Sequence, residues 1–505
     1  MIADMPYATP SQSQPRPLWS VAALTLGILA VGLAWTGFQQ TDDLFYAEAA
    51  SGWAKHGWFV SENHWGLRHM IVLPMALLFR LFGPGEAMLV APMVVYVALL
   101  AGLVGTIAAR VAGGLAAILA AMLIVTLPLV ATAASYVTTD VPEAVFVLAS
   151  ALIFYRALER RQRGTALLAG VFAGMAFITR ETTLALIAFY GVLFLANYGR
   201  DRAAYVWLGA GFCLVASLDT LYLWSATGDP LHRFAITQRG MEGDNALTTT
   251  RVGDGFFNAF GVIEAPRWLQ GALMLFTQQT IGLLPWFAVP AAILVLRRPA
   301  TTPQGRLLRY FGLLGLVWFV ILNWVLISLW VLPRYNVVPL AVLATCLGVA
   351  LAALFQQGRR WLPGSLLALV LLGNLGLLTL GGRDTIHGER SYALALRTYP
   401  DAVVRTDSNT RTAADWLLLV DGTAGRAETG PPVPGGLYFF NPAPRRNWAA
   451  EWPVQQPDPS WQEVAAFAEP ARPTAWLMNW LGLDRTLPKG VLGKLAPIPR
   501  RPVLY

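Results

Sequence analysis

Two adjacent carboxylates, Asp42 and Asp43, stand just beyond the first apolar stretch, in the run Thr41-Asp42-Asp43-Leu44-Phe45-Tyr46-Ala47-Glu48. A chain as greasy as this one can keep acids away from a membrane surface, so a pair placed there invites a chemical explanation. Together with Asp140 the pair could bind Mg²⁺ or Mn²⁺ through oxygen. Each acid also has a plain structural reading. Thr41 followed by two acids is a good helix start, a capping hydroxyl and then negative charge near the helix N-terminus. Asp140-Val141-Pro142-Glu143 is another, with an Asp cap, an early proline and a glutamate at the third position. The cations divide the same way. Arg68 and His69 read as site residues or headgroup contacts, Arg334 behind Pro333 as a site residue or interfacial anchor, and Arg180 as a cap on a turn. Asp219, near the end of an apolar span, reads as a snorkelling or polar-packing residue.

The elements that must position these residues are mostly membrane helices. The chain has 505 residues, 56% hydrophobic and 13% charged, with a mean hydropathy of +0.51; a soluble globular protein of this size rarely tolerates such values. Roughly eleven apolar stretches have spanning length or come near it: about 18–38, 87–109, 112–133, 141–157, 165–179, 182–196, 204–224, 271–296, 310–331, 336–355 and 362–381. The fifth and sixth are short and flank Arg180-Glu181, so one broken helix is the alternative. With the N-terminus and Arg16 placed in the cytoplasm, the inward connections carry Arg110; Arg156, Arg160, Arg161 and Arg163; Arg200 and Arg202; Arg297, Arg298, Arg306 and Arg309; and Arg359 and Arg360. That alternation satisfies the positive-inside rule and puts the C-terminus outside. The net charge of +8 is then largely topological and does not point to nucleic acid. The first span lacks a small-residue cleavage site and reads as a retained anchor.

Three regions fall outside the membrane on the outer face. The loop 39–86 holds two stretches with the character of interfacial helices, 42–56 and Gly66–Phe82, with Trp53, Trp58 and Trp65 at headgroup depth. The loop 225–270 is polar and opens with Gly228-Asp229-Pro230. From Arg383 hydropathy falls and prolines multiply. Ala402-Val403-Val404 and Gly436–Phe440 read as strands and Ala413–Val420 as a helix, so a small α/β domain is expected over 383–505, following a membrane domain over 1–382. The two cysteines, Cys213 and Cys346, lie inside predicted spans, which leaves no disulfide framework or thiolate metal site in the outer regions. No repeat and no phosphate-binding glycine loop is present.

The stretch from Asp42 to Phe82 resembles the first outer loop of the C-type glycosyltransferases, in the branch of protein O-mannosyltransferases and lipid A aminoarabinose transferases. Asp42-Asp43, Phe45-Tyr46-Ala47-Glu48, Gly57-Trp58 and Gly66-Leu67-Arg68-His69-Met70 stand where that branch has its acidic pair, helix start, turn and interfacial segment. Three later segments match in the same order: Tyr136–Phe146 with Thr139-Asp140, Phe177–Thr182, and Pro333-Arg334-Tyr335 opening a span. Arg68-His69-Met70 departs from the branch's Lys-Pro-Pro, and Asp43 from its Glu.

The resemblance implies transfer of a sugar from a polyprenyl-phosphate carrier to an acceptor at the outer face. The sugar–phosphate bond breaks through an oxocarbenium-like state. The attacking hydroxyl needs a base, for which a carboxylate is suitable. The departing phosphate needs fixed cations, preferably arginine. By that matching Asp42 is the expected general base, assisted by Asp43 and Asp140. Arg68, His69 and Arg334 are expected at the carrier phosphate, Tyr335 as a hydrogen-bond donor there, and Arg180, Lys55 and His56 as weaker candidates. No catalytic metal or other cofactor is expected. The fold expected is mostly α, a polytopic C-type glycosyltransferase with about eleven spans and a small outer α/β domain. The expected setting is a bacterial inner membrane, with the domain periplasmic and the acceptor a lipid, glycan or protein. The competing reading is a transporter or flippase of lipid or sugar-lipid without chemistry; such folds often carry paired repeats and interrupted midplane helices, and here the acids gather at one surface.

Overall fold

The computed structural model describes residues 17–239, 263, 265–297, 299, 301–326, 331–381, 386–444, 452–470, 473–482 and 500–505. Among these, six helical stretches are long and apolar enough to cross a membrane: Glu86–Val125, Asp140–Arg160, Arg202–Thr227, Pro303–Val325, Pro333–Gln356 and Trp361–Thr379. Shorter apolar helices stand at several of the other expected spans. The chain is a multi-pass membrane protein.

Helix α1 (Pro17–Ala34) leads into α2 (Asp42–His56) and α3 (His69–Phe82), the two helices expected along the interface. Helix α3 buries Val72, Met75, Ala76 and Phe79 on one face and leaves Leu77, Leu81 and Phe82 exposed, the spacing of an amphipathic helix. Helix α4 (Glu86–Val125) is two antiparallel helices joined at Ala112-Gly113, where Gly113 has φ +82. A side chain at Gly105 would come within 3.3 Å of the Ala117 carbonyl oxygen, so the two arms pack backbone to backbone. The second arm stops at Thr126, short of the expected 133. Pro128 has no N–H to continue it and opens the short α5 (Pro128–Ala133).

Helices α6 (Asp140–Arg160) and α7 (Arg163–Thr179) form a hairpin around Arg161, which is left-handed at φ +52. Arg180 is extended, at φ −164, and separates α7 from α8 (Leu184–Leu195); the two short spans are therefore separate helices. Helix α9 (Arg202–Thr227) follows, started by Asp201 accepting from the Ala204 N–H at 3.3 Å and ended at Gly228, φ +75. The expected span 271–296 is corrected to two helices, α10 (Arg267–Thr277) and α11 (Leu284–Leu296). The break at 278–283 has two local causes: Gly282 at φ +70, and Pro285 in the first turn of α11. Helices α12 (Pro303–Val320), α13 (Val337–Gln356) and α14 (Trp361–Gly381) complete the bundle. A wide π turn at Ile321–Val325 and a tight 3₁₀ turn at Pro333–Asn336 flank the α12–α13 connection.

The C-terminal part has a core of its own around Tyr392, Leu396, Val404, Leu418, Phe439 and Leu504. Helices α15 (His387–Thr398), α16 (Ser408–Val420) and α17 (Pro473–Trp480) accompany strands β1 (Val404–Thr406), β2 (Ala427–Thr429), β3 (Leu437–Phe440), β4 (Ala465–Ala466) and β5 (Val503–Leu504). The sheet order is β2-β1-β3-β5-β4. Strand β1 is parallel to β2 and β3, and β5 is antiparallel to β3 and β4. Helix α16 starts five residues before the expected Ala413 because Asp407 caps it, accepting from the Thr410 N–H at 2.9 Å. The expected boundary at 382/383 and most of the loop 225–270 lie outside the described residues; within that loop, 232–239 is helical.

Candidate functional site

Asp42 and Asp43 are neighbours with opposite surroundings. Asp43 is fully buried. Its Oδ2 accepts from the Gln39 N–H at 2.5 Å, and its Oδ1 from the Thr41 N–H at 2.6 Å and hydroxyl at 3.1 Å. Between those amides Gln40 is left-handed, at φ +56, a costly conformation for a non-glycine residue. The carboxylate thus gathers two nearby amides into an anion-binding turn. Thr41 makes no side-chain cap bond, because its hydroxyl is turned to Asp43. Asp42, the first residue of α2, faces outward: Arg334 Nη1 stands 3.5 Å from its Oδ2, with the two side chains 44% and 37% exposed.

Arg334 opens onto a second acid–base string. Its guanidinium carbon lies 5.7 Å from the centre of the Tyr335 ring, and that of Arg180 lies 4.3 Å from the same ring. Arg180 donates to Asp140 Oδ1 and stands 3.8 Å from Glu143. Asp140 also accepts from the Thr138 hydroxyl. Glu143 accepts from the hydroxyls of Thr182 at 2.6 Å and Thr183 at 2.9 Å, so it does not close the expected capping box. The starts of α2, α6 and α13 and the α7–α8 turn therefore meet at one end of the bundle. Asp42, Asp140, Arg180, Arg334 and Tyr335 come together there.

Arg68 and His69 take different paths. Arg68 donates to the Tyr46 hydroxyl and is buried, with no partner for its Nε among the described residues. Burial raises the Tyr46 hydroxyl to about 12, against the pull of Arg68, so it stays protonated. His69 turns away to Asp219, its Nδ1 lying 2.7 Å from Oδ1. Arg233 clamps the same carboxylate at 2.8 and 2.9 Å, donates to the Leu67 carbonyl at 2.7 Å and reaches Glu181 at 3.3 Å. This buried knot ties α3, α9 and the segment 232–239 together. Lys55 and His56 stand exposed in the last turn of α2.

Four features were missed in the sequence. Asp219 was visible as an acid in a span, but its partner Arg233 lay in a polar loop where an arginine is unremarkable. Glu143 was visible only as part of a helix start. His64 belongs to no motif; it packs on Trp65 with ring centres 3.8 Å apart, and Trp65 stacks on Phe45 at 4.5 Å. Burial and then Arg68 lower the His64 imidazole to about 4, which keeps it neutral. Glu86 and Arg390 form the fourth, an ion pair between the start of α4 and α15. Asp42, Asp43 and Asp140 do not converge as ligands: one faces outward, one is closed over backbone amides and one is held by Arg180. No group of three or more His, Cys, Asp or Glu side chains that could hold a metal ion occurs among the described residues.

Residues 70–223 match the family model described as dolichyl-phosphate-mannose-protein mannosyltransferase. ArnT from Cupriavidus metallidurans, solved bound to undecaprenyl phosphate, shares the fold at a TM-score of 0.54 and 14% identity, over 84% of this chain and 93% of that one. The oligosaccharyltransferase AglB from Archaeoglobus fulgidus, solved with an inhibitory peptide and a dolichol-phosphate, aligns at a TM-score of 0.47 and 12% identity, over 81% of this chain and 64% of that one. No curated protein matches the chain. The family match over 70–223 and the shared fold bear out the resemblance read from the sequence.

Proposed function

From this kinship with the C-type glycosyltransferases, we propose that the chain moves a sugar from a polyprenyl-phosphate carrier to a hydroxyl-bearing acceptor, with Asp42 as general base. The observation that carries the reading is the pairing of Asp42 with Arg334 at 3.5 Å, both reachable from outside, at the mouth of a buried acid–base string. A base for the acceptor and a cation for the leaving phosphate are what this transfer requires side by side.

In the proposed reaction the acceptor oxygen bonds to the anomeric carbon as the carbon–oxygen bond to the carrier phosphate breaks. The acceptor proton passes to Asp42, and the electron pair of the broken bond stays on the phosphate. Arg334 takes the phosphate charge; Arg68, held by the Tyr46 hydroxyl with its Nε lacking a partner among the described residues, is the second cation assigned to it. Arg180 and Asp140 fix the Tyr335 ring against which Arg334 lies. Asp43 and His69 move from the reacting groups to the supports: Asp43 holds the turn that presents Asp42, and His69 anchors α3 to α9. The match of ArnT, whose structure holds undecaprenyl phosphate, supports the carrier class. The family branch and the composition favour a bacterial inner membrane as the setting, and the arginine distribution supports a site on its periplasmic face.

The test is saturable binding of undecaprenyl phosphate to the purified protein in lipid nanodiscs, comparing wild type with Arg334→Ala and Arg68→Ala. Weakening by either change supports the carrier site; absence of binding in wild type removes it. Transfer from a polyprenyl-phosphate sugar should then fall by about 10²–10⁴-fold in Asp42→Ala. Transfer that survives this change rules out Asp42 as the base, and binding with movement of lipid but no transfer would favour a flippase.

A further inference from the structure

Phe38 and Gln40, which lead into the Asp42 turn, are gripped by parts of the chain far from them in sequence. Glu86 Oε1 accepts from the Phe38 N–H at 2.8 Å. Arg390, on α15, engages Glu86 through two nitrogens, with Nη2 to Oε1 at 2.8 Å and Nη1 on Oε2. The same Nη2 donates to the Phe38 carbonyl at 2.8 Å. Both backbone polar groups of Phe38 are thus held by one bidentate ion pair, the geometry that gives arginine its directional specificity. The Phe38 ring is fully buried and lies 4.6 Å from the ring of Trp416 on α16. Gln40 donates from Nε2 to the Thr412 carbonyl, also on α16, at 3.2 Å. Gly37 sits at φ +67, and any side chain there would collide with Glu86 and Arg390.

We propose that Arg390 and Glu86 are positioning residues for Asp42, so that the C-terminal unit sets the geometry of the proposed base without touching substrate. This rests on the reading of Asp42 given above. The chain of contact is short. Arg390 and Glu86 fix Phe38, Trp416 and Thr412 fix Phe38 and Gln40, and Asp43 closes the turn on Gln39 and Thr41. Asp42 is the outward residue between the last two supports. A catalytic group must be held to within about 0.5 Å of its working position, and a displacement of about 1 Å can cost on the order of 10²-fold in rate. A free loop of seven residues, 35–41, after a helix end does not meet that tolerance; one pinned at Phe38, Gln40 and Asp43 does.

The test is amide hydrogen exchange on the full chain in lipid nanodiscs, comparing wild type, Arg390→Ala, Arg390→Lys and Glu86→Gln, with undecaprenyl phosphate binding measured on the same samples. In Arg390→Ala the amides of 38–43 should exchange at least tenfold faster while those of α6 and α7 keep wild-type rates. Lys, which retains charge but not the bidentate geometry, should recover only part of the protection. Carrier affinity should stay within about twofold, because Arg334 and Arg68 lie outside the clamp. Unchanged exchange over 38–43 overturns the proposal, as does acceleration spread evenly over the bundle, which would mark a general loss of fold. If the clamp behaves as expected but wild type binds no carrier, the functional reading fails and the clamp survives as architecture.

Discussion

The adjacent acids at the start of α2 should respond to the same substitution in opposite ways. Asp43→Ala removes a buried acceptor from the Gln39 N–H and a half-buried one from the Thr41 N–H. A buried donor left unmet costs about 1–3 kcal/mol, and the more solvated Thr41 amide adds a fraction of that. Gln40 is also left in its strained conformation without the contact that fixes it. The sum is about 2–4 kcal/mol of stability. Asp42→Ala removes an ion pair whose partners are 37% and 44% exposed, and such pairs contribute about 0–1 kcal/mol. Unfolding in mixed micelles, titrated with a denaturing detergent and followed by tryptophan fluorescence, should therefore shift strongly for Asp43→Ala and barely for Asp42→Ala. The loss of transfer should be at least as large for Asp42→Ala despite its near-native stability. Equal shifts in the two variants, or a larger one for Asp42→Ala, would falsify the assignment of Asp43 as support and Asp42 as the free group.

Other outcomes follow from the same contacts. Arg233→Met leaves Asp219 buried with His69 as its remaining partner and should cost about 3–5 kcal/mol; adding Asp219→Asn should recover part of it in the same unfolding assay. His64 titrates near 4 in the folded chain, against about 6.5 when unfolded, so the unfolded state alone takes up a proton between those values. Its contribution is intact above about pH 6.5 and declines as pH falls towards 4, by about 1–3 kcal/mol in total, and His64→Gln should flatten that part of the pH–stability curve. Gly170→Ala would push a methyl group into the Leu208 carbonyl at the α7–α9 crossing and should cost about 1–3 kcal/mol. Gly209→Ala, with open space around it, should be neutral or stabilising by up to about 1 kcal/mol.

Local features of this chain were readable because they depend on local rules. The interfacial helices at 42–56 and 69–82 follow from apolar spacing and the residues that interrupt it. The hairpin at Ala112-Gly113 follows from a glycine and an arginine between two apolar arms. Asp140, Arg180 and Arg334 were readable as a group only because a family pattern placed them together; spacing alone leaves them three unrelated helix ends. What stayed hidden depends on distance in sequence. Asp219 needs Arg233 from a polar loop, and Glu86 needs Arg390 from the other end of the chain. The different surroundings of Asp42 and Asp43 arise from a left-handed Gln40, which no propensity favours and which the surrounding contacts impose. The break at 278–283 carried a signal that was passed over, the polar run Gln278-Gln279-Thr280 ahead of Gly282 and Pro285, because the long apolar runs on either side outweigh it in a spanning-length window.

That break also bears on how the chain is made. Ile281 and Gly282 are buried there, and two of the break's peptide groups find partners from elsewhere: the Thr280 carbonyl accepts from the Leu129 N–H at 2.7 Å, and the Leu283 N–H is met by Asn374 Oδ1 at 3.0 Å. Leu129 leaves the ribosome well before the break, but Asn374 follows it by 91 residues. Until α14 has packed against this turn, the Leu283 N–H lacks that partner, and a buried amide left unmet costs about 1–3 kcal/mol. The turn between α10 and α11 is thus completed only when α14 is in place, and among the described residues this late helix acts as the bolt on an earlier break.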